Sequence, residues 1–303
     1  MDRPVSAATG RIAPSRTLWE GYFINLDRAT ERRSRMEGQI RQHGLGRYRR
    51  FPAVDGRASS RACACRPGEI GIFRSHLNVL QLIASGSLPG HVLEDDVILS
   101  DMTGPAIETA IRRGIVNQFD ILFLETYVGT IIGNISRFHR AFKEATQNGP
   151  VRSPNQLQII DLGKDYLYGA TSYLVSPQGA RKLAAILNAD WQRGPTLPVD
   201  DVLQRAAALG RISVGCVFPF VTTIDLETSR ESSAGRNAEL DRAMLQRLIR
   251  YAFFVRRDIA GYAAPILEEV LARLPQSGNR EASDFYAKIL RYYLVAPQRV
   301  ASP

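Results

Sequence analysis

The sequence predicts an α/β fold with a C-terminal helical appendage. Three observations carry this expectation. Continuous apolar runs alternate with amphipathic segments of helical spacing as far as about residue 230. Those runs lack polar–apolar alternation, as parallel strands covered on both faces do. From about residue 238 the texture becomes wholly helical.

WEGYFINL, residues 19–26, is rich in aromatic and β-branched types and reads as a first buried strand. Asp27 or Thr30 can cap the helix that follows, with Met36 and Ile40 on one face and Gly44 as its stop. YRRFPAVDG is a short extended piece leading to a cysteine-bearing loop. Pro67-Gly68 opens a second helix over about residues 69–84, where Ile72, Val79, Leu80 and Ile83 follow helical spacing. HVLEDDVIL reads as a strand running into acids, and FDILFLET, residues 119–126, as another buried strand. Residues 127–156 are mixed, basic and rich in Gly, Pro and Asn, and read as a long irregular excursion. LQIID and YGATSYLVS are further strands. SPQGARKLAAIL is a helix with Ser176 as cap and Pro177 at its first position. PVDDVLQRAAALG is a helix and RISVGCVFPFV a late strand.

The 303-residue chain carries a formal charge of +9 and a pI near 9.7. Such an excess favours anionic partners, and arginine, which carries most of it, suits phosphate through its planar fork. No nucleic-acid module is recognisable, so no nucleic acid is expected as partner. The odd cysteine count (Cys63, Cys65 and Cys216) argues against a disulfide framework and reads as reduced thiols. Residues 1–16 lack the apolar run of a signal peptide and read as a disordered leader. No stretch approaches the ~20 apolar residues of a membrane span. A cytoplasmic location is expected.

Glu94-Asp95-Asp96 is the strongest chemical signal. Clustered carboxylates repel, and burying them is costly unless a cation compensates. In an extended chain residues i and i+2 face one side, so Glu94 and Asp96 would point together at a ligand and Asp95 away. Hard oxygen ligands of this kind suit Mn²⁺ or Mg²⁺ bridging to a diphosphate; an acidic surface turn is the competing reading. At the end of the first strand, Asn25 and Asp27 are candidates for a base or ribose and Arg28 for a phosphate. The alternative makes Asp27 a helix cap and Arg28, Arg32, Arg33 and Arg35 a solvated face. Asp55 in AVDG reads as a turn. Glu69, Ser75 and His76 either line a donor site or serve the helix that carries them. Asp200 and Asp201 open a helix, so they either cap it or supply a general base. Tyr168 and Tyr173 offer an aromatic face to a sugar or to the core.

INLDRATERRSRM, FPAVDG, GEIGIFRSHLNV, HVLEDDVIL, YGATSYLVSPQGARKL and LPVDDVL occur in this order. Together, over roughly residues 20–230, they resemble the lipooligosaccharide-biosynthesis glycosyltransferases, family 25 of the sugar transferases, to which the collagen galactosyltransferases are related. The resemblance implies a GT-A-like nucleotide-sugar-binding α/β sandwich, read as residues 17–237; residues 238–303 are a helical region by their own texture, and they and the stretch 127–156 match nothing in the family pattern. It implies a divalent cation, Mn²⁺ or Mg²⁺, at Glu94 and Asp96, with Glu94 and Asp95 also at the nucleotide-sugar. Asp55 would lie near the nucleotide, and Asp200 or Asp201 would be the base. The implied reaction transfers a hexose, often galactose from UDP-galactose, with inversion, to a glycan or glycolipid acceptor of lipopolysaccharide biosynthesis. The sequence departs from the pattern at Ile72, where relatives often carry Cys. Many such enzymes also use a late His as metal ligand, whereas all four histidines here lie at or before His139. A late ligand would be Asp225 or Glu227. A non-catalytic nucleotide- or glycan-binding module is the competing reading.

In the C-terminal region Met244, Leu248, Tyr251 and Val255 share a helical face, with Arg242, Arg247, Arg250, Arg256 and Arg257 around it. Such a helix either lies peripherally on anionic membrane or packs on the catalytic domain.

Overall fold

In a computed structural model, residues 17–58, 65–128, 132–166, 168–227, 238–273 and 288 are described. The leader and Cys63 lie outside them. The strands are β1 (Glu20–Asn25), β2 (Tyr48–Pro52), β3 (Gly90–Glu94), β4 (Val97–Leu99), β5 (Ile121–Phe123), β6 (Gln158–Asp161), β7 (Ser172–Val175), β8 (Val214–Phe218) and β9 (Thr222–Ile224). The α-helices are α1 (Thr30–Gln42), α2 (Pro67–Ser85), α3 (Thr103–Arg112), α4 (Ile132–Thr146), α5 (Pro177–Arg193), α6 (Val199–Ala208), α7 (Ala238–Ala252) and α8 (Ala264–Arg273).

Seven strands form one sheet in the order β2-β1-β3-β7-β5-β8-β6, while β4 and β9 pair separately. Period-two alternation divides the strand side chains between two cores. Tyr22, Ile24, Val92, Phe123, Tyr173 and Val175 face one layer, packed by Phe73, Leu77 and Leu80 of α2 and Leu183 and Leu187 of α5. Phe23, Leu93, Leu122, Leu174 and Val217 face the other, with Met36 and Ile40 of α1 and Ile107 of α3. The result is a three-layer sandwich.

The sheet is mixed rather than parallel. β1, β2 and β3 run together, but β7 is antiparallel to both β3 and β5. An apolar run reports burial on both faces and says nothing of direction, so the expected parallel set holds only in part. HVLEDDVIL is also not one strand: β3 stops at Glu94, residues 95–96 form a turn, and β4 joins β9 in the second sheet. The 127–156 excursion contains α4, whose Ile135, Phe138, Phe142 and Ala145 are buried. Their spacing of three, four and three is helical, and packing against Phe218 and Phe253 outweighs the local Gly and Asn content. Helix α1 begins after Ala29 without a side-chain cap, so neither Asp27 nor Thr30 has that role. Ser176 does cap α5, accepting from the Gly179 N–H at 3.1 Å.

Helix α7 belongs to the first core. Met244, Leu248 and Tyr251 are buried there and Val255 packs against it. Phe220 bridges to Phe254, with the Val255 N–H donating to the Phe220 carbonyl at 2.9 Å. Arg256 forks onto Asp101 at 2.7 and 2.9 Å, and Arg257 lies 4.2 Å from the Phe142 ring centroid. The face nominated for a bilayer is therefore consumed by packing, which corrects the membrane reading of this helix. Among the described residues no helix is long and apolar enough to cross a membrane.

His91 turns to the second core in a buried polar chain. Its Nδ1 meets the Tyr48 hydroxyl, its Nε2 lies 3.1 Å from Ser172 Oγ, and Thr222 Oγ1 lies 2.8 Å from the same Ser172 oxygen. Burial pushes the imidazole pKa down to about 3. The folded state thus favours the neutral ring, and that stability is complete above the ordinary value near 6.5 and lost as pH falls toward the folded value. Between pH 7 and 5 this group should cost about 2 kcal/mol of unfolding free energy. Urea unfolding of wild type and His91→Gln at both pH values checks this. Identical pH slopes in the two proteins would refute it.

Candidate active site

The C-terminal ends of β1, β3 and β5 and the start of β7 share one edge of the sheet, because β7 runs opposite to its neighbours. Open α/β sheets bind ligands at such an edge. The acidic triplet lies there.

The three acids have different surroundings. Glu94 ends β3, and its Oε1 lies 3.3 Å from His76 Nε2. His76 Nδ1 in turn lies 3.0 Å from the Tyr173 hydroxyl, so α2 and β7 together aim the Glu94 carboxylate. Asp95 turns to the other side, accepting from Asn25 Nδ2 at 2.6 Å and pairing with Arg32 at 3.0 Å. Burial nevertheless pushes Asp95 upward, against the pull of Arg32 and Asn25. Asp96 is half-buried. Its Oδ1 is buried and has no hydrogen-bond partner among the described residues. Burial first, and then the charges of Glu94 and Asp95, push its pKa up to about 7, with Arg247 and Arg32 acting the other way. The Asp96 carbonyl accepts from the Asp225 N–H at 2.7 Å. The strand alternation that was to align Glu94 with Asp96 stops at Glu94; the turn at 95–96 sets the two remaining directions.

Several residues nominated as ligand contacts serve the framework. Asn25 Nδ2 donates to the Ala29 carbonyl at 3.1 Å as well as to Asp95, and its Oδ1 accepts from Arg50 at 2.9 Å. Both amide hydrogens are engaged, so Asn25 orients Asp95 and leaves no donor for a base or ribose. Ser75 is fully buried, donating to the Gly71 carbonyl at 2.7 Å and accepting from the Val54 N–H at 2.9 Å. It fastens the 54–56 turn to α2 rather than lining a site. Glu69 forms a capping box with Arg66, accepting from the Arg66 N–H at 2.8 Å. Asp27, Arg28 and Asp55 do lie on the exposed rim beyond β1 and β2, where Asp27 pairs with Arg50 and Arg28 with Asp55.

Asp200 and Asp201 diverge. Asp200 reaches inward, accepting from Gly169 N–H at 3.3 Å and Ala170 N–H at 3.2 Å. Burial, then the charge of Glu94, push it up to about 6, with His76 and the two N–H groups pulling down. Asp201 is raised by burial and then by Glu69, on the outer side of α2. Tyr168 is exposed, whereas Tyr173 is buried against His76 and Phe123 and belongs to the core. Asp225 accepts from the Tyr262 hydroxyl at 3.1 Å and lies 3.6 Å from Arg35, while Glu227 is exposed.

Glu125 is not singled out by the sequence, and Arg250, expected on the polar surface of its helix, turns inward to pair with it. Glu125 follows β5 with no exposed surface, and Arg250 NH1 of α7 lies 3.0 and 3.2 Å from its two oxygens. An acid inside the apolar run FDILFLET was the available signal.

A three-layer mixed sheet with acids clustered at its carboxyl edge is the architecture of a GT-A-like sugar transferase. The chain belongs to glycosyltransferase family 25 (LPS biosynthesis protein), whose sequence model matches residues 19–203. It is accordingly a glycosyltransferase of lipopolysaccharide biosynthesis, with a sugar donor and a glycan acceptor. No match to a curated protein was found.

Proposed function

We propose that the chain transfers a hexose, galactose in the first instance, from a UDP-sugar to a glycan or glycolipid acceptor with inversion. The observation that carries this reading is the convergence of Glu94, Asp96 and a proton-avid Asp200 on one sheet edge. Asp200 Oδ takes the proton of the acceptor hydroxyl, whose oxygen attacks the anomeric carbon as the nucleotide leaves from the opposite face. A carboxylate raised toward neutrality holds that proton better than an ordinary aspartate and is still ionised at pH 7. The rim formed by Asp27, Arg28 and Asp55 receives the nucleoside side, with Arg28 and Arg32 offering guanidinium groups to the diphosphate.

The family resemblance also calls for a divalent cation. Among the described residues no three His, Cys, Asp or Glu side chains are grouped to hold a metal ion alone. Asp96 Oδ1, which has no hydrogen-bond partner among the described residues, and the neighbouring Glu94 nonetheless fit a hard cation that draws its remaining ligands from phosphate and water. Glu94 and Asp96 would hold Mn²⁺ or Mg²⁺, which would neutralise charge on the departing diphosphate.

The test is UDP release from UDP-galactose, UDP-glucose and UDP-N-acetylglucosamine, with and without chelator, in wild type and variants. Asp200→Asn should lower kcat by roughly 10²–10⁴-fold with UDP affinity nearly unchanged. Asp201→Asn should have a far smaller effect. Wild-type turnover in Asp200→Asn would move the base elsewhere, and a greater loss in Asp201→Asn would reverse the assignment.

A further inference from the structure

Along the active edge, the stretch next to the acidic centre is the run into β7, residues 168–171. It is held from several sides. The Tyr168 carbonyl accepts from the Tyr127 N–H at 3.0 Å and from Thr126 Oγ1 at 2.9 Å. Asp200 takes the Gly169 and Ala170 N–H groups. The Glu94 N–H donates to the Thr171 carbonyl at 2.9 Å, and the Thr171 hydroxyl donates to Glu125. Gly169 has φ +111°, and a Cβ there would stand 3.2 Å from Tyr127 N and 3.4 Å from Thr126 Cα. Only glycine accepts that conformation at that distance without strain.

This bracing fixes one side chain at the surface. Tyr168 keeps 44 % of its surface exposed, whereas Tyr166 and Tyr173 on either side are buried. The Tyr127 ring meets it edge-on, with centroids 5.7 Å apart and planes at 78°. A T-shaped pair supports a ring without covering both its faces. An exposed tyrosine with a fixed backbone and a braced ring costs little entropy to use in binding.

We propose that Tyr168, braced by Tyr127, is the platform on which a pyranose of the acceptor glycan stacks. This rests on the transferase reading above and names the site of its second substrate. Position selects the acceptor over the donor base. Tyr168 adjoins Gly169, whose N–H is bonded to Asp200, and the acceptor hydroxyl must meet that base. The rim at Asp27, Arg28 and Asp55 lies beyond β1 and β2, with β3 between it and β7. A pyranose presents a face of C–H groups to an aromatic ring, while the phenol stays in water.

The experiment uses the full chain, the UDP-sugar that wild type turns over, and deacylated lipopolysaccharide core oligosaccharide as acceptor probe. Tyr168→Ala should raise the acceptor KM about tenfold or more, the scale of one lost stacking contact. UDP affinity by calorimetry should change less than twofold. Tyr168→Trp should restore acceptor KM to near wild type, which a merely structural role would not produce. An acceptor KM unchanged in Tyr168→Ala overturns the platform. Parallel loss of UDP affinity also overturns it and assigns the ring to the nucleotide. A Tyr168→Trp variant that keeps the wild-type melting temperature yet is as impaired as Tyr168→Ala overturns it too. If wild type releases no UDP from any UDP-sugar with this acceptor, the transferase reading fails and the platform with it. Wild-type activity indifferent to residue 168 sinks the platform alone.

Discussion

Asp96→Asn should reduce transfer by at least 10²-fold and at the same time raise the melting temperature. Both effects come from one environment. Asp96 is half-buried, its Oδ1 is buried with no hydrogen-bond partner among the described residues, and Glu94 and Asp95 repel it. Its pKa of about 7 lies above the ordinary carboxylate value near 3.9. The sign follows: the folded state disfavours the charged form, so Asp96 lowers stability increasingly as pH rises from about 4 toward 7. At neutral pH the burden is on the order of 3 kcal/mol. An isosteric amide removes the charge and should recover on the order of 1–2 kcal/mol of it, since the amide must still find partners. In a domain of this size that is a rise of several degrees. The same amide is a poor ligand for a hard cation and cannot balance it, so the functional loss is large. Natural proteins accept such local cost where a site requires it. The measurement pairs UDP release with thermal unfolding. Transfer within a few-fold of wild type would remove Asp96 from the mechanism, and a lowered melting temperature would mean its charge is compensated after all.

The parts of the fold legible in the sequence are those where local pattern and burial coincide. β1, α2, α5 with its Ser176 cap, and α6 combine an apolar run or a helical stripe with a terminator in the right place. Strand direction was not legible, because β7 is as apolar as β3 and pairs with it antiparallel. Helix α4 was hidden by composition, since its anchors Phe138 and Phe142 sit among Arg137, His139, Arg140 and Lys143. At the site, the acids could be found because carboxylates in a row after a strand are chemically odd. Which of them is free could not, because it depends on partners far along the chain. Asn25 is 70 residues from Asp95, and the N–H groups that hold Asp200 lie about 30 residues before it. Ser75 and His76 are adjacent in sequence yet do different work: one fastens a turn, the other aims Glu94.

Arg250→Met should destabilise the fold by about 3–5 kcal/mol, although residue 250 lies well beyond the family match that ends at 203. Arg250 NH1 bridges both oxygens of Glu125, which has no exposed surface, and among the described residues the other hydrogen bond to that carboxylate comes from the Thr171 hydroxyl. Removing the guanidinium leaves a buried anion with one neutral donor, and that uncompensated charge is the source of the loss. The cost should fall on the active edge as well, since Thr171 belongs to the run that also bonds Glu94 and Asp200. A double variant, Glu125→Leu with Arg250→Met, removes both charges and should be far closer to wild type than the single variant. Urea unfolding of the wild type, both single variants and the double variant closes the cycle, with an expected coupling of about 2–3 kcal/mol. Additive losses would mean that the two groups do not depend on each other. An Arg250→Met cost under about 1 kcal/mol would mean that the carboxylate finds other compensation, with Arg247 on the same helix, whose charge also interacts with Glu125, a candidate. If the cycle closes as expected, residues 238–252 are part of what holds the catalytic edge in place, and a chain ending at Asn237 should not fold to an active enzyme.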